Sequence, residues 1–284
     1  MKSIERVGVM GAGTMGHGIA QVAAMSGCDV VLMDASADAA QAGLQRIRNN
    51  LDEGVKRGKV TASQRDETIG KIRVSGNASV AVTKVDLIIE AIPERMDLKI
   101  AMLQSLEPYL ADDAMVASNT SSLSISQLQK TLRHPENMLG MHFFNPVHIN
   151  PLLEIVRGDQ TRDDVVESAA AFAKRIGKDA IIVKDSPGFA TSRLGVLLGL
   201  EAMRMLEEGV ASAQDIDKAL ELGYRHPMGP LKLTDLVGLD VRLDIARYLH
   251  KELGAEHFRP PQILEQMVAQ GKLGKKSGEG FYKW

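Results

Sequence analysis

Two residues in the middle of the chain could form a proton-transfer pair. His142 leaves the apolar run Met138-Leu139-Gly140-Met141 and is followed by Phe143-Phe144-Asn145-Pro146, a turn signal, so it is expected at a strand end. Glu154 lies in Leu152-Leu153-Glu154-Ile155-Val156, a strand-like apolar segment where a buried carboxylate needs a partner. His142 is the expected partner. An imidazole held by a carboxylate has its tautomer fixed and its cation supported, as a general base accepting an alcohol proton requires. A strand-end histidine on its own is more often a packed or capping residue. A second polar cluster, Ser118-Asn119-Thr120-Ser121-Ser122, follows the strand-like run from Met115. There its hydroxyls would collect at the carboxyl edge of a sheet, where open α/β sheets bind ligands. Capping by Ser121 or Ser122 of a helix over Leu123 to Leu132 accounts for the same residues, and position alone does not separate the two.

A base that takes an alcohol proton needs a hydride acceptor, and the start of the chain offers a place for one. The strand-like Arg6-Val7-Gly8-Val9-Met10 runs into Gly11-Ala12-Gly13-Thr14-Met15-Gly16, and a helix is expected over Ile19 to Met25. In this spacing Gly11 permits the tight turn, Gly13 lets a pyrophosphate approach the backbone, and Gly16 lets helix pack on strand. The helix N-terminus offers its N–H groups and partial positive charge to the phosphates. The next strand-like run, Asp29 to Met33, ends at Asp34, close to the ~20 residues expected between turn and ribose-binding acid. Asp34 would accept from an adenosine ribose diol and repel a 2′-phosphate. Ala35 and Ser36 follow it and no Arg adjoins it, so NAD is favoured over NADP.

The elements that must hold these residues follow from the patterning. The chain has 284 residues, 44% hydrophobic and 25% charged, which suits a globular protein of two domains. Short β-branched runs at Val7 to Met10, Val30 to Met33, Leu87 to Ile92 and Met115 to Ser118 alternate with longer helical stretches. That order predicts parallel βαβ units. Residues 38–68 are long for a crossover and read as a projecting helical pair rich in Arg and Lys. Strands are expected at Leu152 to Val156 and Ala180 to Val183, with a helix from Asp163 to Ile176 between them. Beyond Lys184-Asp185-Ser186-Pro187-Gly188 the chain reads as helical, at Phe189 to Glu208, Ala213 to Leu222, Leu239 to Leu253 and Pro261 to Gln270. The expected fold is therefore α/β, a Rossmann-type dinucleotide-binding domain over residues 1–185 followed by an all-helical domain over 186–284.

Composition also narrows the partners. With 34 Lys plus Arg against 36 Asp plus Glu, the formal charge is −2, a poor footprint for nucleic acid or an anionic membrane. No segment approaches the ~20 apolar residues that span a bilayer. The run Met1-Lys2-Ser3-Ile4-Glu5-Arg6 does not read as a secretory leader, and the single Cys28 excludes an intrachain disulfide and a cysteine-cage metal site. A reducing, cytoplasmic location is expected, and the seven His show no metal-ligand spacing.

Taken together, the sequence resembles the L-3-hydroxyacyl-CoA dehydrogenase family, including its short-chain 3-hydroxybutyryl-CoA members. The resemblance covers almost the whole chain: Gly11 to Gly16, Glu90-Ala91-Ile92-Pro93-Glu94, Ser118 to Ser122, His142 to Pro146, Asp185 to Phe189, His226-Pro227-Met228-Gly229-Pro230 and Gly278 to Tyr282. It implies that His142 is the catalytic base and Glu154 its partner, that Ser121 meets the substrate C3 oxygen, and that Asn145 lies near the nicotinamide. It places Glu94 and Lys99 near the cofactor, alongside Thr14 and Met15 of the turn, and makes Asp34 the ribose acceptor. It further implies an arm whose basic residues, here Lys56 and Lys59, meet the CoA nucleotide, and a homodimer formed through the second domain. In many members an Asn-Arg pair follows the Ser-Pro-Gly-Phe motif, and that Asn contacts the substrate carbonyl. Here Ala190-Thr191-Ser192-Arg193 places Ser192 at that position.

The expected function is reversible NAD-dependent oxidation of an L-3-hydroxyacyl-CoA to the 3-oxoacyl-CoA, with no metal. Two rivals remain: a dehydrogenase of a free hydroxy or sugar acid on the same fold, and a noncatalytic NAD-binding protein like a related lens crystallin. CoA dependence separates the first, and an NADH absorbance assay the second.

Overall fold

The computed structural model describes residues 3–284, so Met1 and Lys2 of the N-terminal run lie outside the described residues. The chain divides into two compact units, one ending at Asp185 and the other running from Ser186 to Trp284.

The first unit is built on one sheet of eight strands: β1 (Arg6–Met10), β2 (Asp29–Met33), β3 (Ile72–Ser75), β4 (Leu87–Glu90), β5 (Met115–Ser118), β6 (Met138–Phe143), β7 (Leu152–Arg157) and β8 (Asp179–Lys184). Their order is β3-β2-β1-β4-β5-β6-β7-β8. The first six strands are parallel and wound in both directions from β1, which puts a switch point between β1 and β4, where dinucleotides bind. β7 runs antiparallel to β6, and β8 parallel to β7. Strands β4 and β5 are buried along their whole length, as expected of a parallel sheet covered on both faces.

Helices fill the crossovers: α1 (Gly16–Met25), α2 (Ala37–Lys56), α3 (Ala62–Gly70), α4 (Ala78–Val82), α5 (Met96–Leu106), α6 (Ile125–Gln129) and α7 (Asp163–Arg175). In α2, Ala40, Gly43, Leu44, Ile47 and Leu51 recur at helical spacing and are buried, so one stripe packs inward while the other faces carry charge. Each large apolar side chain in that stripe contributes about 2 kcal/mol on burial. Ser36 caps α2 by accepting from the Ala39 N–H at 3.1 Å. A reciprocal Thr61–Gln64 capping box starts α3. The helical pair expected over 38–68 is thus present as α2 and α3.

The second unit is helical: α8 (Thr191–Glu207), α9 (Ala213–Lys218), a π turn over Ala219–Gly223, α10 (Pro230–Val237), α11 (Leu239–Leu253) and α12 (Gln262–Ala269). Its core includes Val196, Leu200, Met203, Leu231, Leu243, Leu249 and Phe258. Buried Asp235 gathers the C-terminal tail by accepting from the N–H groups of Phe281 and Tyr282 and from the Trp284 indole, each at 2.9 Å. The fold class is the expected α/β Rossmann-type unit followed by an all-helical one.

Several elements differ from the sequence expectation. β3 and α10 were not anticipated. The helix expected from Phe189 starts at Thr191, because Gly188 and Phe189 both take positive φ, 75° and 48°, and form a turn instead. The helix expected over Leu123 to Leu132 is only the short α6, and its cap is Ser124, whose hydroxyl accepts from the Gln127 N–H. Capping therefore does not explain Ser121 or Ser122.

Candidate active site

The antiparallel ladder between β6 and β7 sets the central pair. His142 and Glu154 are direct cross-strand partners, so their side chains share one face of the sheet. His142 Nδ1 lies 2.7 Å from Glu154 Oε2. Glu154 is fully buried and His142 only 6% exposed. A carboxylate there accepts the Nδ1 proton, which assigns the neutral ring its Nε2 lone pair for proton chemistry. The His142 ring also packs at 4.4 Å between centroids against Phe144.

Beside it, the loop leaving β5 is held from two sides. Asn119 Oδ1 accepts from the Phe143 N–H at 2.9 Å, tying this loop to the end of β6. Glu94 Oε1 accepts from the Thr120 hydroxyl at 2.6 Å, the Ser121 N–H at 2.8 Å and the Ser122 N–H at 3.2 Å. Ser121 is thus half-buried on a fixed backbone at the carboxyl edge of the sheet. Asn145 is exposed on the loop after β6. Behind that loop, Lys178 donates to the Val147 carbonyl and, at 2.6 Å, to the Asn150 carbonyl; burial pushes its pKa down.

The dinucleotide turn passes a direct test of fit. Gly11 has φ +100°, and a side chain on Gly16 would collide with the Gly11 carbonyl, whereas the space around Gly13 is open. The start of α1 has no side-chain cap and no acidic residue in its first turn, as suits a pyrophosphate. Thr14 is exposed and Met15 half-buried at this helix start. Asp34 Oδ2 accepts from the Ala12 N–H and Oδ1 from the Ala35 N–H, both at 2.7 Å, leaving further lone pairs on both oxygens for ribose hydroxyls.

Two contacts, those of Arg46 and Glu90, were not read from the sequence, and the place of Lys99 differs from the expectation. Arg46, on α2, donates to the Ala12 carbonyl at 3.1 Å, so the fold brings a guanidinium to the turn although none follows Asp34 in the chain. Lys99, which the resemblance places near the cofactor, is 1% exposed, with Nζ 2.6 Å from Glu90 and 3.4 Å from Glu94, so its side chain is closed in and reaches the site only through Glu94. Glu90, at the end of β4, is fully buried. The only sequence signal for it was a carboxylate closing the apolar strand Leu87-Ile88-Ile89.

Lys56 and Lys59 sit exposed where α2 ends and turns into α3; Lys56 Nζ is 3.9 Å from Glu53. In the second unit, Ser192 is half-buried in the first turn of α8.

The chain is similar to known proteins over nearly its whole length. Residues 6–186 match the family described as 3-hydroxyacyl-CoA dehydrogenase, NAD binding domain, and residues 188–284 match 3-hydroxyacyl-CoA dehydrogenase, C-terminal domain. The chain is 40% identical over 281 residues to a probable 3-hydroxybutyryl-CoA dehydrogenase of Bacillus subtilis, covering 99% of this chain and 98% of that protein. It is 40% identical over 292 residues to the mitochondrial hydroxyacyl-coenzyme A dehydrogenase of Rattus norvegicus, covering 99% and 91%. The crystal structure of an (S)-3-hydroxybutyryl-CoA dehydrogenase from Ralstonia eutropha superposes with a TM-score of 0.96 at 39% identity, covering 99% of each chain.

Proposed function

The chain belongs to the 3-hydroxyacyl-CoA dehydrogenase family, and from that premise we propose how its own residues carry out the reaction. The enzyme is an NAD-dependent oxidoreductase that interconverts L-3-hydroxyacyl-CoA and 3-oxoacyl-CoA, with short acyl chains such as 3-hydroxybutyryl as its substrates. The observation that carries this reading is the buried 2.7 Å His142–Glu154 pair on a sheet that also bears a dinucleotide turn.

NAD, when bound, supplies the acceptor for the substrate's C3 hydride. In the oxidative direction His142 Nε2 takes the C3 hydroxyl proton, and Glu154, bonded at Nδ1, keeps the ring oriented and supports the imidazolium that forms. Ser121 donates to the C3 oxygen, and Ser192 donates to a substrate oxygen with a shorter reach than an amide side chain would have. Asn145 and Glu94 serve the nicotinamide end, and Asp34 the adenosine ribose. Lys56 and Lys59 attract the CoA nucleotide. The second unit carries a homodimer contact. Among the described residues no helix is long and apolar enough to cross a membrane; we assign the protein to the cytoplasm.

The test is a steady-state survey of acetoacetyl-CoA and longer 3-oxoacyl-CoA substrates with NADH and NADPH. Turnover should be fastest with acetoacetyl-CoA and NADH, and Asp34→Ala should narrow the preference over NADPH. Equal turnover of free acetoacetate would remove CoA from the substrate, and no NADH oxidation with any acyl-CoA would overturn the reading.

A further inference from the structure

The mechanism above gives no part to Glu90 and Lys99, which lie beneath the Ser121 loop. Glu90 is fully buried at the end of β4, where three donors reach its carboxylate. Its Oε1 accepts from Lys99 Nζ at 2.6 Å and the Ile92 N–H at 2.8 Å; its Oε2 accepts from the Ser118 hydroxyl at 2.5 Å. Lys99 also donates to the Ile92 carbonyl at 3.3 Å and lies 3.4 Å from Glu94 Oε2. Glu94 is 39% exposed on its side chain, and its two oxygens face different ways. Oε2 meets Lys99, and Oε1 takes the Thr120, Ser121 and Ser122 donors.

A continuous chain of contacts therefore runs from Ser118 through Glu90, Lys99 and Glu94 to the backbone of Ser121. Folding alone does not call for it. β4 is otherwise apolar, and a well-packed apolar residue commonly replaces a buried ion pair without loss of stability. Two carboxylates against one ammonium leave a net charge of −1. Because Glu90 and Lys99 neutralise each other in the interior, that charge rests on Glu94, at the site.

We propose that Glu90 is a positioning residue of the reaction: through Lys99 it fixes the orientation of Glu94, which holds the backbone that presents the Ser121 hydroxyl. The inference rests on the reading of Ser121 as the donor to the C3 oxygen. Lys99 alone could swing between the two carboxylates, whereas Lys99 anchored by Glu90, itself pinned by Ser118 and Ile92, has one place to be.

A double-mutant cycle tests it. Glu90→Gln, Glu94→Gln and the double variant are compared with wild type for kcat and KM with acetoacetyl-CoA and NADH, and for thermal unfolding. Each single change should lower kcat by about tenfold, and the double variant should be no slower than the slower single, because the two act along one path. Losses that multiply in the double variant, or a Glu90→Gln kcat within about twofold of wild type, would overturn the proposal by showing no coupling. If Glu90→Gln fails to fold, Ser118→Ala takes its place. It should lower kcat about threefold in the wild-type background and not at all beside Glu94→Gln; an equal loss in both refutes the path. Wild-type turnover is the separate control: without it the dehydrogenase reading fails and this inference with it, whereas an active wild type with an additive cycle refutes the inference alone.

Discussion

At the scale of single residues, chemistry is assigned by what each polar atom is bonded to. His142 has its Nδ1 committed to a fully buried carboxylate, so removing either partner attacks the same step. His142→Ala should lower kcat by roughly 10²-fold or more through loss of the general base. Glu154→Gln should lower kcat while leaving NADH affinity, measured by fluorescence titration, nearly intact. Near-normal turnover in either variant would remove that residue from the mechanism. Ser192→Ala should lower kcat/KM by roughly tenfold, as one lost hydrogen bond of ~1.4 kcal/mol predicts. A loss of thermal stability with kcat/KM unchanged would instead make Ser192 a packing residue of α8. The pairing of His142 with Glu154 could be read from the sequence because an apolar strand states the need for a partner. Glu90 could not: its partner Lys99 lies nine positions away on a helix, and Ser118 comes from another strand. Arg46 was equally hidden, since only the passage of α2 across the turn brings its guanidinium to the Ala12 carbonyl.

At the scale of elements, strands with apolar runs and helices with long periodic stripes were legible, and the misses share a cause. β3, Ile72-Arg73-Val74-Ser75, is a short edge strand with an exposed Arg, so it lacks both the length and the apolar density that mark the inner strands. α10 opens at Pro230 after Pro227-Met228-Gly229. That motif reads as a turn, although proline is well suited to the first position of a helix. The arm formed by α2 and α3 was legible because its stripe spans several turns. Its tip is where the CoA assignment can be tested. Replacing Lys56 and Lys59 together by Ala should raise KM for acetoacetyl-CoA, with a smaller effect on a pantetheine substrate that lacks the nucleotide. An identical rise for both substrates would assign the change to folding of the arm.

At the scale of the whole molecule, the second unit leaves several large apolar side chains exposed. Leu194 and Leu198, one turn apart on α8, are 62% and 43% exposed, and α10 leaves Leu233, Leu236 and Val237 exposed as well. These are the residues we propose for the homodimer contact. If they form the homodimer contact, wild type should run at twice the chain mass in light scattering, and Leu194→Glu with Leu198→Glu should run at the single-chain mass with its helical content retained. A monomeric wild type would dispose of the assignment.

The ladder that pairs His142 with Glu154 also determines which changes of chain length the enzyme can survive. The two residues are matched across β6 and β7, and the loop from Phe144 to Pro151 closes the hairpin between them. An added residue in the exposed His148–Ile149 part of that loop leaves the ladder in step. One residue removed inside either strand, between the pair and the loop, turns His142 or Glu154 to the opposite face of the sheet. In evolutionary terms the strands are locked in frame, so descendants of this enzyme should record no insertion or deletion between residues 142 and 144, and any change of length in this hairpin at the exposed His148 and Ile149, between the carbonyls that Lys178 holds.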